Sequence, residues 1–457
     1  MRPRQRLQRA LRVAALLGAA SGGAARAQGS DSYEQEPIRY SASAPRDAVA
    51  RLEERLAAGT LRFAGDERAV VRGLLEALSV PIESQLLVFS KTSLQRDRIS
   101  PWTPRALYFS DDVYVGWVPG GLVEVASIDP EIGPIFYRFD PRAAADGDSA
   151  GEPAGDASSS APAPRFVRDR SCMSCHGGQF VRDIPGLFAR SIHVEPSGEP
   201  LFRFGSVLVD ESTPFENRFG GWYVTGTHGR ALHRGNVFTK DVDGRPQLDL
   251  AAGANVVDLA GRFPAEDYLA PGSDLVAHLV QLHQLTVHDA LTRAAFQCRR
   301  MLHYQQGIQR DLKEPVTSEP TWESVVAVFE RSAQELTDAL LSHGAAPLPE
   351  GGVSGDLAFQ RAYVATAKRS PEGDSLRDLD LATRLYRNRL SPLIASESFA
   401  ALPAPLLQRI WTRLAAALRP GANDPRYAYL GEEERARIVA ILRATHRGLP
   451  ERWLAGE

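Results

Sequence analysis

The chain has 457 residues, and its 53 lysines and arginines against 56 acidic residues give a formal net charge of −3. Six of the arginines and no acidic residue precede Gln28, so a chain that starts there has a charge of −3 − 6 = −9, and a nucleic-acid partner is not expected. Three cysteines are too few for a disulfide framework, and an apolar fraction of 43% is that of a globular protein.

Residues 1–27 have the pattern of a secretory signal peptide. Met1 to Arg12 contains five arginines, Val13 to Ala25 is apolar and small, and Ala25-Arg26-Ala27 matches an A-x-A cleavage site. We therefore expect cleavage after Ala27 and a protein that is periplasmic or otherwise exported. No later apolar run approaches the roughly 20 residues that span a bilayer, so the exported chain is not expected to be membrane-spanning.

Residues 28–140 are predicted to form two helices followed by a small antiparallel sheet. Arg46 to Ala57 and Glu67 to Leu78 carry apolar residues at helical spacing and are expected to form an antiparallel pair. Gly120-Gly121 indicates a hairpin between the third and fourth predicted strands. The five short β-branched or aromatic runs that predict strands are Gln85 to Phe89, Ala106 to Phe109, Val113 to Val118, Leu122 to Ser127 and Pro134 to Phe139.

Residues 141–164 are almost wholly Ala, Gly, Asp, Ser and Pro, with no aromatic residue. Such a composition cannot bury a core, so this segment is predicted to be a flexible linker or a surface insert. The sequence leaves open whether the sheet before it and the chain after it share one core.

Residues 165–315 contain the most specific motif of the chain. Cys172, Cys175 and His176 form a Cys-x-x-Cys-His pentad, the attachment signature of a c-type haem. Two thiols at this spacing bond to one porphyrin, and the histidine can ligate its iron. We expect one covalent haem c, with these three residues binding the cofactor. A redox dithiol or half of a zinc site is the alternative, but structural zinc takes four ligands and only Cys298 remains as a thiolate donor.

Two further elements are predicted around this motif. Phe188 to Val194 and Pro200 to Val209 flank the turn Pro196-Ser197-Gly198 and predict a β-hairpin. The longest helix is predicted over residues 273–312. On it His283 lies on the buried stripe, whereas the histidines five residues to either side are expected to turn away from the core.

The C-terminal region, residues 316–457, is predicted to be largely helical. Helical spacing extends over Thr321 to Leu341, over Asp378 to Leu418 with breaks at Pro392 and Pro403, and over Gly431 to Thr445. The predicted fold class is therefore α+β, with a small antiparallel sheet, a haem c segment and a largely α-helical C-terminal half.

The second axial position of the iron is not fixed by the pentad. His228 lies in the glycine-rich segment Trp222 to Gly229 and is the first choice, so the predicted metal ligands are His176 and His228. His283, His193 and Met301 are the alternatives. Methionine there raises the reduction potential, histidine lowers it, and an open position allows chemistry on a small molecule.

A set of segments beside the pentad carries a family resemblance. They are Ser84 to Gln95, Pro104 to Phe109, Asp112 to Trp117, Trp222 to Gly229, Asp380 to Leu385 and Phe399 to Pro403. Together they resemble a family of exported bacterial proteins described as cytochrome c domain-containing. The resemblance implies haem attachment at Cys172, Cys175 and His176, electron transfer, and a variable insert at 141–164. A Cys-Ser pair of the family is Leu390-Ser391 here, so no thiol role is carried over to that point.

These observations predict a periplasmic mono-haem c-type cytochrome that exchanges electrons with a periplasmic redox partner protein. The alternative is a haem enzyme, peroxidase-like or oxygen-activating, with an open or displaceable distal site that uses groups such as His228, Tyr108 or Lys91. The size of the chain favours the enzyme, whereas the lack of a recognisable distal acid–base set favours the carrier. A haem-bearing docking subunit is a third possibility.

Overall fold

A computed structural model describes residues 31–145, 165–450 and Trp453. In this part of the chain a seven-stranded antiparallel sheet is combined with ten α-helices, six of them in the C-terminal half, which confirms the α+β class. None of the helices in these ranges is long and apolar enough to cross a membrane. The predicted signal peptide lies outside the described residues. So does 146–164, most of the predicted linker, whereas Pro141–Ala145 forms a short helix.

The sheet has the strand order β6-β5-β4-β3-β2-β1-β9, and all neighbours are antiparallel. All five strands predicted before residue 140 are present, and the β3–β4 hairpin turns at Gly120-Gly121 as expected. β6 and β9 follow residue 164, so both sides of the predicted linker contribute to one sheet. The strands are β1 (Leu86–Val88), β2 (Arg105–Phe109), β3 (Val113–Trp117), β4 (Val123–Asp129), β5 (Gly133–Phe139), β6 (Val167–Arg168), β7 (Ala189–Ile192), β8 (Ser206–Val209), β9 (Trp222–Tyr223), β10 (Lys240–Val242) and β11 (Arg245–Gln247).

The helices surround this sheet. β7 and β8 pair as the predicted hairpin, and β10 pairs with β11. The helices are α1 (Ala48–Ala57), α2 (Glu67–Ala77), α3 (Pro141–Ala145), α4 (Met173–His176), α5 (Leu275–Asp311), α6 (Glu323–Leu340), α7 (Leu357–Ala365), α8 (Glu397–Ala400), α9 (Ala404–Leu418) and α10 (Glu432–Thr445).

The two faces of the sheet carry two cores because successive side chains of a strand point to opposite faces. The core on the first face contains Tyr108 and Val115 together with the C-terminal helices. The core on the second face contains Phe109, Tyr114 and Phe136, with the first half of α5 and against the half-buried Cys172. The Cys-x-x-Cys-His pentad therefore packs on the second face of the sheet.

α1 and α2 are helices as predicted, but they do not pack chiefly on each other. Asp47 and Asp66 cap them by accepting hydrogen bonds from Ala50 N and Ala69 N, both at 2.8 Å. The main contacts of α1 are with β4, and those of α2 are with α3. Each helix buries its apolar stripe in the core of the first face, so the sheet takes the place of the expected partner helix.

α5 is the longest helix and is more enclosed than predicted. Asp274 caps it by accepting from Ala277 N at 2.8 Å. His283 is buried, as expected, but His278 and His288 are buried as well, so the prediction that they turn away from the core is wrong. The helix passes through the interior with packed chain on all sides over its first six turns, and its polar side chains find partners there.

The C-terminal region departs from the prediction between Asp378 and Leu390, which is a loop with one bridge, Leu379 to Tyr386, instead of a helix. The Asp380 carboxylate accepts from the backbone N–H groups of Ala382 and Thr383, and such local bonds compete with helix formation. α6, α9 and α10 agree with the predicted helices, and α7 was not predicted.

Candidate functional site

The pentad forms one tight helical segment. Asp169 accepts from Ser171 N at 2.9 Å and so caps a 3₁₀ turn over Arg170–Cys172, which continues directly into α4. This geometry follows from the sequence because an aspartate at an N-cap satisfies a free backbone N–H. Cys172 and His176 are half-buried, whereas Cys175 is exposed. The segment therefore presents one thiol to the sheet and one to solvent.

The His176 imidazole has a defined tautomer. Its Nδ1 lies 2.9 Å from the backbone oxygen of Gly186. Because a carbonyl oxygen only accepts, Nδ1 must carry the proton, which leaves a lone pair on Nε2. A histidine that ligates a metal commonly donates its other ring N–H to a carbonyl or carboxylate in this way.

Two phenylalanines fix the plane of this ring. The ring centroid of Phe136, from β5, lies 4.5 Å from that of His176, and that of Phe188 lies 4.7 Å away in a stacked arrangement. Burial lowers the pKa of His176 from 6.5 to about 4. The imidazole is thus neutral near pH 7, the state in which it can act as a ligand.

The cysteines of the pentad are separated from the third cysteine. Burial, reinforced by the Asp169 charge, raises the pKa of Cys172 to about 11, which disfavours the thiolate that zinc requires. Cys298 lies fully buried in the core on the other face of the sheet, where burial raises its pKa to about 12. In residues 31–145 and 165–450, no group of three or more His, Cys, Asp or Glu side chains is placed to hold a metal ion.

The surroundings of the pentad fit an anionic, largely apolar macrocycle. The charge of Arg105, on β2, acts on both Cys172 and His176, and its Nε is buried without a hydrogen-bond partner. A side chain at Gly116, on β3, would collide with the Arg105 guanidinium, so this glycine lets the arginine lie flat across the sheet. Arg105 already pairs with Glu124, its Nη2 lying 2.5 Å from Oε2, so its buried Nε is the donor left for one of the two propionates of haem c.

A second arginine, Arg190 on β7, also has an unused donor. Arg190 lies over the ring of Phe180, 4.6 Å from its centroid, and its Nε is also buried without a partner. Phe180 is 43% exposed, and Leu208 on the paired strand β8 is 39% exposed. These are apolar surfaces that a haem attached at the pentad could cover.

His228, the predicted second metal ligand, has partners of its own in the structure. Its Nε2 accepts from Asn255 N at 3.0 Å, and its ring centroid lies 4.7 Å from that of His233 and 5.2 Å from that of Phe215. Within the part of the chain that the structure describes, His228 shares no hydrogen bond and no ring contact with His176. Ligation of iron by Nε2 of His228 therefore requires loss of its bond to Asn255.

His283 has both ring nitrogens occupied. Nδ1 lies 2.8 Å from Glu211 Oε1, and Nε2 lies 2.8 Å from Ser391 Oγ. This order of groups is that of a hydrolase triad, but Ser391 is 1% exposed, and it does not line the cavity of about 350 Å³ beside Glu211. The three residues join segments that lie far apart in sequence.

The remaining distal candidates also have other partners. His193 is bonded through Nδ1 to Thr239 Oγ1 at 3.0 Å and receives Arg234 Nη1 at 3.4 Å on Nε2. Met301 packs with the core on the face of the sheet opposite to Phe136 and His176.

The two other groups proposed for a distal acid–base role are engaged as well. The Tyr108 hydroxyl donates to Gln85 Oε1 at 2.7 Å within the first-face core, and Lys91 pairs with Glu199 at 3.1 Å. Within the described residues, the hydrogen bonds and ion pairs of Tyr108 and Lys91 do not involve the pentad.

The sequence interpretation missed three residues that hold the pentad histidine: Gly186, Phe188 and Asp289. Asp289 Oδ1 accepts from Leu187 N at 2.8 Å and so anchors the loop whose carbonyl binds His176. The sequence did carry one signal for Asp289. It is an acidic residue next to His288 inside the apolar run of α5, and a buried helix face ordinarily has no acidic residue.

Comparison of the chain with protein-family models, with curated proteins and with solved structures finds no match in any of the three.

Proposed function

We propose that the protein is a periplasmic mono-haem c-type cytochrome that transfers electrons. Cys172 and Cys175 would hold the porphyrin through thioethers, and His176 would be the proximal iron ligand. The observation that carries this proposal is the state of His176: Nδ1 donates to the Gly186 carbonyl, and Nε2 keeps a free lone pair. Haem c, when bound, supplies one-electron redox chemistry.

The exposure of the pentad suits exchange of electrons with another protein. Cys175 is exposed, and Phe180 beside it in sequence is 43% exposed, so the attachment edge faces solvent. The other side of the motif, with Cys172 and Phe136, is packed on the sheet. One edge is thus available to a periplasmic redox partner while the proximal histidine stays in a fixed, largely apolar environment.

The test is expression of the full chain together with a c-type maturation system. We expect one covalently bound haem by intact mass and by the pyridine haemochrome spectrum. Cys172→Ala and Cys175→Ala should each lose a thioether bond, whereas the matched control Cys298→Ala should retain the full haem content because Cys298 lies in the other core. A wild-type protein without covalent haem, or a Cys175→Ala variant with an unchanged haem spectrum, would overturn the proposal.

A haem enzyme with an open or displaceable distal site is the second candidate function. It is favoured by one observation: His193 and His283 use both ring nitrogens in other hydrogen bonds, and His228 uses Nε2, which leaves only its buried Nδ1 without a partner. Electron paramagnetic resonance of the ferric protein separates the two. A low-spin spectrum that cyanide does not change indicates the carrier, and a high-spin spectrum that cyanide converts to low-spin indicates the enzyme. If His228 is the distal ligand, as the sequence predicts, His228→Ala converts a low-spin spectrum to high-spin.

A further inference from the structure

One peptide group connects His176 to an acidic residue that it does not touch. The carbonyl of Gly186 accepts from His176 Nδ1 at 2.9 Å, and the N–H of Leu187 donates to Asp289 Oδ1 at 2.8 Å. These two groups are the opposite ends of the single peptide unit between Gly186 and Leu187. The imidazole, the peptide and the carboxylate therefore form one continuous hydrogen-bonded series.

We propose that Asp289 is a positioning residue for the proximal ligand, which acts on His176 through the Gly186–Leu187 peptide and lowers the reduction potential of the bound haem. This inference rests on the proposed function, because it concerns the ligand of a haem attached at the pentad. Asp289 bonds to the Leu187 N–H and not to His176, so its effect is indirect.

The physical basis is polarisation of the amide. A carboxylate that accepts from a peptide N–H increases the negative charge on the carbonyl oxygen of the same peptide, and hydrogen bonds in series strengthen one another. The Gly186 oxygen then becomes a stronger acceptor for Nδ1–H of His176. An outer-shell partner of this kind raises the basicity of the ligating nitrogen, which stabilises the ferric state over the ferrous state.

The arrangement is sterically specific. A Cβ on Gly186 would lie 2.7 Å from Cβ of Val181 and 3.1 Å from Oδ1 of Asp289, so only glycine allows the loop to approach this closely. The Gly186 N–H also donates to the backbone carbonyl of His176 at 2.9 Å. Gly186 therefore bonds to His176 through both its N–H and its carbonyl oxygen. His176 and Gly186 are therefore locked to each other by two hydrogen bonds.

The carboxylate itself is held on a rigid element. Asp289 lies on α5, where the neighbouring His288 Nε2 donates to the backbone oxygen of Asp111 at 2.7 Å and fixes the helix to the sheet. Burial raises the pKa of Asp289 from 3.8 to about 7, although the Leu187 N–H and the charges of Arg293 and Arg182 oppose that rise. The tertiary structure thus places the carboxyl group opposite the Leu187 N–H, and the group is an anion above about pH 8.

Asp289→Asn tests the proposal in the full-length protein carrying its haem, at about pH 9, where the wild-type carboxyl group is ionised. Asparagine keeps an oxygen that accepts from Leu187 N and removes the negative charge. At a fixed potential we expect the ratio of ferrous to ferric protein to rise about tenfold, which is 59 mV for one electron. The matched control is Asp112→Asn, which removes another half-buried carboxylate that lies against the sheet and not against the Gly186–Leu187 peptide. It should leave the ratio unchanged.

A second readout follows the ligand directly. The iron–Nε2 stretching frequency of the ferrous protein should fall in Asp289→Asn and not in Asp112→Asn, which a merely structural role for Asp289 does not predict. Should Asp289→Asn fail to fold, Asp289→Glu displaces the charge by one methylene and is expected to shift both readouts in the same direction, by less.

The outcomes separate this inference from the proposed function. A wild-type protein with no covalent haem overturns the proposed function. In that case the ¹⁵N resonance of His176 Nδ1 in the haem-free protein still tests the series, because it should move in Asp289→Asn and not in Asp112→Asn. A haem-loaded protein in which the Asp289 and Asp112 variants have equal potentials and equal stretching frequencies overturns the inference alone.

Discussion

Asp112→Asn is expected to stabilise the protein at neutral and alkaline pH. Asp112 is half-buried at the turn between β2 and β3, where burial and the charges of Asp111 and Glu397 raise its pKa from 3.8 to about 7. Between these two values the unfolded chain has released the proton while the folded chain still holds it. The unfolded state therefore binds fewer protons, and the stability contributed by this site falls as pH rises.

The magnitude follows from the shift. The pKa of Asp112 rises from 3.8 to about 7, and each pKa unit corresponds to 1.36 kcal/mol. The largest possible gain in the free energy of unfolding is therefore about 4 kcal/mol. Solvent screening of a half-buried carboxyl lowers the expected gain to about 2–3 kcal/mol. Most of this gain should be present at pH 8, where Asp112 is ionised in both states, and little of it at pH 4, where the folded state holds the proton.

The assay is urea unfolding of the wild type and of Asp112→Asn at pH 4, 6 and 8. The difference in free energy of unfolding should increase steadily over this series. Asp97→Asn is the matched control, since the same chemical change there removes a charge from an exposed position. A difference between wild type and Asp112→Asn that is equal at pH 4 and pH 8 would refute the reasoning.

Two further substitutions test the packing of α5. Asp274→Ala removes the cap that accepts from Ala277 N and should cost about 1–2 kcal/mol of unfolding free energy, measured by urea denaturation, while Asp274→Asn should recover part of the loss. His283→Ala leaves Glu211 and Ser391 without their shared partner and should cost about 2–4 kcal/mol, with no change in the spin state of the haem protein. A spin-state change in His283→Ala would instead identify this histidine as a ligand.

The sheet could be predicted from the sequence because its signals are local. β1 to β5 are short runs of β-branched and aromatic residues bounded by glycine, proline or polar turns, and each pairs with its neighbour in the chain. The attachment motif is local too, since Cys172 and His176 are four residues apart. The Asp378–Leu390 segment was mispredicted because side-chain bonds from Asp380 override an apolar spacing that suits a helix.

What could not be predicted is the set of contacts made across the chain. Leu187 and Asp289 are 102 residues apart, and His288 reaches Asp111 across 177 residues. The periodicity of apolar residues in a sequence does not indicate which distant residues form hydrogen bonds. The burial of His278 and His288 has the same origin: a helical stripe identifies one face against the core, but the number of faces that are covered depends on which other segments fold around the helix.

The position of His176 therefore depends on α5, which acts on it through the Gly186–Leu187 peptide. α4 has four residues and no buried side chain, too few to fix an imidazole by themselves. α5 supplies the rigidity: it begins where Leu275 N donates to Thr225 O at 2.8 Å, is held at His288 against the sheet, and holds the Gly186–Leu187 peptide through Asp289. Since the Nδ1 partner of His176 is set only when these segments are assembled, a segment with the pentad alone lacks the tautomer and ring orientation that the folded chain imposes. Under the proposed function the pentad would determine where the haem is attached, and the fold around α5 would determine the state of the histidine that ligates its iron.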